Sequence, residues 1–103
     1  MIKIIDGKRY NTETSEEIAN YENMHNCQDF NYYSETLYKT KKGAYFLYGS
    51  GMALSKYGRS NGRESYGGHE FEVMTPQEAF EWLTEHNLDY EAEEEFPEMI
   101  EEG

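Results

Sequence analysis

His69-Glu70-Phe71-Glu72-Val73-Met74-Thr75-Pro76-Gln77-Glu78-Ala79-Phe80-Glu81-Trp82-Leu83 changes its period in the middle. Up to Met74 the residues alternate, with Phe71 and Val73 set against Glu70 and Glu72, which is the period-two pattern of a half-buried strand. Thr75 then supplies a helix N-cap, Pro76 suits the first helical position, and Glu78 at the third completes a capping box. Beyond it Ala79, Phe80 and Leu83 make one apolar stripe with Trp82 at its flank. Glu78, Glu81 and Glu85 fall on the other side. A strand over 69–74 followed by a helix from Pro76 to about Glu85 predicts an α+β fold in which the helix covers a sheet.

The rest of the chain supplies that sheet. Phe30, Tyr32, Tyr33, Leu37 and Tyr38 precede Lys41-Lys42-Gly43, and Ala44 to Tyr48 follow it, so residues 30–48 read as two antiparallel strands with a turn near Lys42-Gly43. Ile2, Ile4 and Ile5 run into Asp6-Gly7 and return through Lys8-Arg9-Tyr10, the pattern of a β-hairpin over residues 1–11. Thr12-Glu13-Thr14-Ser15-Glu16-Glu17 resembles a helix start, which predicts a short helix to about Tyr21 with Ile18, Ala19 and Tyr21 inward. An Asn-rich loop follows, to about Asp29. Six Gly between Gly49 and Gly68 predict a short strand at Met52-Ala53-Leu54 and then a long flexible loop. Asp89 to about Glu95 reads as a second, acidic helix, and Pro97 turns the chain toward Met99 and Ile100.

At 103 residues this is one domain, 1–103, with a core over 1–96 and an acidic, mobile tail over 97–103. The expected architecture is an antiparallel sheet of about four or five strands that includes residues 1–11, 30–48 and 69–74. A short N-terminal helix, a packed C-terminal helix and an acidic helical tail complete it. Its core would set Ile4, Tyr33, Leu37, Phe46, Phe71 and Val73 against Phe80 and Leu83. Only 37% of residues are hydrophobic, and the 16% that are aromatic compensate through the large area each ring buries.

Charge is distributed unevenly. The last basic residue is Arg63, and the fourteen acids from Glu64 onward contribute all of the excess behind the net charge of −12. Such a field repels nucleic acid and anionic membranes and attracts basic surfaces, so the expected partner is the basic surface of a DNA- or RNA-binding protein. Carboxylates on rigid helices at neighbour spacings of about 5–6 Å can stand in for phosphates. Glu78, Glu81, Glu85, Asp89, Glu91, Glu94, Glu95 and Glu98 are the candidate contacts. In the competing reading the acids only solubilise the chain, and Tyr32, Tyr45, Tyr48, Tyr57 and Tyr66 form an exposed aromatic interface, with a second copy of the chain among its partners.

Enzymatic classes find little support. Cys27 stands alone with His25 as His-x-Cys, and His69 and His86 lack ligand-spaced partners, so no metal site is expected. The Gly-rich segment has no Gly-Lys-Ser/Thr ending and so no phosphate-loop signature. No nucleophile–base arrangement is evident, and no cofactor is expected. A single Cys and an opening without a signal-type apolar run point to the cytoplasm.

Ile5-Asp6-Gly7-Lys8-Arg9-Tyr10-Asn11-Thr12-Glu13-Thr14 and Tyr33-Ser34-Glu35-Thr36-Leu37-Tyr38-Lys39-Thr40-Lys41-Lys42-Gly43, followed by Phe46-Leu47-Tyr48-Gly49, resemble a group of small acidic proteins carried by phages and mobile elements of Firmicutes. The likeness extends to Trp82 and the acidic end. Members read Gly-Gly where this chain has Gly51-Met52. The group has no settled activity. What the resemblance implies is context, since small acidic proteins in such neighbourhoods include anti-CRISPR and anti-restriction inhibitors.

Overall fold

A computed structural model describes all residues, Met1–Gly103. Four antiparallel strands form the central sheet: β3 (Glu16–Glu22), β4 (Tyr33–Lys39), β5 (Tyr45–Gly51) and β8 (Gly68–Met74), in the order β3-β4-β5-β8. The N-terminal strands β1 (Ile2–Ile5) and β2 (Lys8–Asn11) make a separate hairpin, and β6 (Arg59–Ser60) pairs only with β7 (Ser65–Tyr66). Helices α1 (Pro76–Glu85) and α2 (Asp89–Glu95) and a 3₁₀ turn over Pro97–Met99 complete the chain. The fold is α+β, as expected, with four strands in its main sheet.

Local chemistry explains most of these elements. Asp6 and Gly7 both adopt positive φ, 52° and 76°, which closes the β1–β2 hairpin in two residues. The Thr75 hydroxyl accepts from the Glu78 N–H, and the Glu78 carboxylate accepts from the Thr75 N–H, so the capping box at α1 is complete. Asn87, with φ of 59°, ends α1 in place of the usual Gly, and the Leu88 N–H returns to the Leu83 carbonyl at 2.9 Å.

The sequence reading fails at residues 12–22, where strand β3 replaces the expected helix. Its ladder with β4 passes from Glu17↔Tyr38 to Ala19↔Leu37, leaving Ile18 as the extra residue of a β-bulge. The hairpin of residues 1–11 forms but does not join the main sheet. Met52-Ala53-Leu54 is a turn segment, not a strand.

Register assigns the faces. Glu35, Leu37 and Lys39 of β4 share one face with Tyr45, Leu47 and Gly49 of β5, and α1 and α2 cover it. The core there is Ala19, Leu37, Tyr45, Leu47, Ala79, Trp82, Leu83, Ala92 and Phe96. Phe46, Phe71 and Val73 point to the opposite face, so their expected packing against α1 is wrong. Val73 is 40% exposed and Ile4 57%, and neither is core. Trp82 is buried and Phe80 only half-buried, the reverse of the expected order. Phe80→Ala is therefore expected to cost about 2 kcal/mol, less than a sealed Phe would, and a chemical-denaturation series measures it.

Gly49 and Gly51 carry the segment 52–58 across the same face. A Cβ at Gly49 would fall 2.0 Å from the Tyr57 ring, and one at Gly51 2.3 Å from the Ser55 hydroxyl. Close approach, rather than the flexibility the sequence suggested, explains these two glycines. The loop they admit brings Lys56 and Tyr57 onto the sheet.

Candidate functional site

The acidic surface is built by α1, α2 and the chain after them. Glu81 and Glu85 lie four residues apart on the exposed side of α1, and the buried stripe Ala79, Trp82 and Leu83 fixes which side that is. Ala92 and Phe96 anchor α2, leaving Asp89, Glu93 and Glu94 exposed, with Glu98 beyond. The chain makes three ion pairs: Lys39–Glu95 at 2.8 Å, Lys56–Glu35 at 2.7 Å and Arg59–Glu70 at 2.7 Å. Twelve of the fourteen acids after Arg63 thus have no cationic partner.

The eight candidate acids divide. Glu81, Glu85, Asp89, Glu94 and Glu98 are exposed and free of ion pairs, although Glu81 accepts a 3.2 Å hydrogen bond from the Gln77 side chain. Glu78 is exposed, but it caps its own helix. Glu91 is half-buried. Glu95 turns inward and is half-buried: its carboxylate binds Lys39 and accepts from the Tyr45 hydroxyl, and its side chain is 15% exposed. Burial pushes that carboxyl up, and the hydrogen bonds from Lys39 and Tyr45 outweigh burial and hold it below the usual range. Burial and the same carboxylate push the Tyr45 hydroxyl up to about 12. Glu93, passed over in the sequence, is exposed beside Glu94.

The tyrosine alternative loses two of its five residues. Tyr45 and Tyr57 are buried, because both lie on the helix-covered side. Tyr32 and Tyr48 are half-buried, and Tyr66 is half-exposed on the small β6–β7 hairpin. His25 and Cys27 sit exposed on the loop between β3 and β4. His69 lies tilted beside Tyr48 on the open face, while His86 lies between Tyr21 and Trp82 with its Nδ1 2.8 Å from the Trp82 carbonyl.

Glu35 is the residue that sequence reasoning missed. It is 1% exposed, and its carboxylate accepts from Trp82 Nε1 at 2.9 Å, from Lys56 Nζ at 2.7 Å and from the Tyr57 hydroxyl. Burial alone raises such a carboxyl, but the three donors overcome it and keep Glu35 below its ordinary range. Burial and the Glu35 carboxylate push the Tyr57 hydroxyl far up. One carboxylate thereby joins β4 to α1 through Trp82 and to the 52–58 loop through Lys56 and Tyr57. All three donors come from within the chain, so these contacts tie the sheet, the helix and the loop together. Compared with family models, with curated proteins and with solved structures, the chain finds no match in any of the three.

Proposed function

We propose that this protein inhibits a nucleic-acid-handling protein, most plainly a CRISPR effector or a restriction enzyme, by laying its acidic helices in the basic groove that would hold DNA. The observation that carries this reading is the unpaired carboxylate surface of α1 and α2, with Glu81, Glu85, Asp89 and Glu94 exposed and no Lys or Arg after Arg63 to neutralise them. A helix selected only for solubility usually interleaves the two signs, because i,i+4 pairs stabilise it and like charges do the opposite. Here the repulsion is retained. A DNA groove is lined with Lys and Arg that take phosphates through charge-assisted hydrogen bonds, and carboxylates satisfy the same donors. The protein acts as a binding module in the cytoplasm, without chemistry of its own, and its field keeps it off nucleic acid.

The test is displacement of a fluorescent duplex from a panel of Cas9-type effectors and restriction enzymes. The parent should displace it from at least one, and should do so far less well as salt rises from about 50 to 200 mM. Glu81→Lys combined with Glu85→Lys should abolish displacement while leaving the thermal midpoint nearly unchanged, because both side chains are exposed. Equal displacement by this double variant and the parent would overturn the mimic reading.

A further inference from the structure

A cleft of about 590 Å³ opens where the β1–β2 hairpin meets the turn between β4 and β5. Lys8 and Arg9 of the hairpin, Lys41 and Lys42 of the turn, and Thr14 and Ser15 are among its lining residues. The chain has nine Lys and Arg, three of which are in ion pairs, and four of the remaining six line this single cleft. That segregation occurs in a protein with 21 acids, any of which could have neutralised them. The backbone N–H groups of Lys41 and Lys42 donate to no backbone carbonyl.

The lining also says what does not bind. Only Tyr10 and Ala44 are apolar there, and the Tyr10 ring is buried edge-on against Phe46 with centroids 5.5 Å apart. No aromatic face is left for a base to stack on. Glu13 and Glu16 line the adjoining cleft, beside Lys39, which is already held by Glu95. A long polyanion would have to run past those acids. A short one would not.

We propose that this cleft binds a small molecule bearing two linked phosphates, held between Lys8 and Arg9 on the hairpin and Lys41 and Lys42 on the turn. A linked diphosphate carries about three negative charges near neutral pH, so four cations are enough to balance it. The volume lies within the range of small-ligand sites. Specificity resides in the diphosphate, because nothing in the lining reads what is attached to it. The site is separate from the acidic helices, and its existence does not depend on the inhibitor reading.

Amide NMR of the full chain tests this, with pyrophosphate, adenosine diphosphate, sulfate and a twelve-nucleotide single strand as probes. Pyrophosphate and adenosine diphosphate should shift the amides of residues 8–9 and 41–43 with similar affinity. Sulfate and the oligonucleotide should bind about tenfold more weakly or worse. Lys41→Glu with Lys42→Glu should lose the response, and Arg9→Ala on the hairpin should weaken it, with the remaining resonances unmoved in both. No response to pyrophosphate, a response to sulfate of equal strength, binding of the oligonucleotide in preference, or an undiminished response in both variants would each overturn the proposal.

Discussion

Replacing Glu35 by Ala should lower the unfolding free energy by about 3–5 kcal/mol, the order expected when two buried donors lose their acceptor and a cavity is left. The melting midpoint should fall by more than about ten degrees in a chain of this size. The cost arises chiefly from what stays behind. Trp82 Nε1 and the Tyr57 hydroxyl, both in buried residues, lose their acceptor, and the place of the carboxylate becomes a cavity. Lys56 contributes less, since its side chain is 54% exposed and can return to water. Trp82→Phe should cost much less in the Glu35→Ala background than in the parent, because its hydrogen bond is already gone. The pH dependence has a definite sign. Glu35 is held below its ordinary value of 4.5, so its contribution is complete above that pH and is lost as pH falls through the folded value. Parent and Glu35→Ala stabilities should therefore converge under acid. A loss under about 1 kcal/mol at neutral pH would mean that the three-donor network does not form.

The residues that were legible in the sequence carry their signal locally. Thr75, Pro76 and Glu78 specify a helix start through their own backbone, and Asp6-Gly7 does the same for a hairpin. Both formed as read. Residues 12–22 also carry a local signal, Thr14-Ser15-Glu16-Glu17, but six residues paired with β4 outweigh it, and the bulge at Ile18 breaks the alternation that would have revealed a strand. Alternation gives a strand its period and leaves the choice of covered face open, which is why Phe71 and Val73 were placed on the wrong side. Glu35 was visible in principle. It stands between Tyr33 and Leu37 at the period-two spacing of inward positions, and an acid in that register calls for donors. Gly49, two residues beyond Leu47, marks a missing side chain on the same face, and Tyr57 fills the gap from a loop whose path no local rule specifies. The candidate acids on α1 followed directly from helical period. Glu95 did not, because its partners Lys39 and Tyr45 lie some fifty residues earlier in the chain.

Phe46→Ala should also cost about 3–5 kcal/mol, through a different face of the molecule. Phe46 is fully buried although no helix covers its side of the sheet. Tyr38 stacks on it at 5.1 Å and Phe71 at 5.7 Å, and Tyr10 of the hairpin closes over it at 5.5 Å. A two-stranded hairpin is at best marginally stable alone, so β1 and β2 depend on this contact. Two outcomes follow that global unfolding would not produce. Tyr10→Ala, which removes the lid and leaves the ring beneath it, should speed hydrogen exchange across residues 2–11 far more than in α1 or α2. It should also weaken pyrophosphate binding, because Lys8 and Arg9 ride on the hairpin while Lys41 and Lys42 stay on the sheet. Phe46→Ala should reproduce both effects and add the loss of overall stability. If Tyr10→Ala leaves exchange over residues 2–11 as slow as in the parent, the hairpin holds its place without the aromatic contact, and the packing described for this face is wrong.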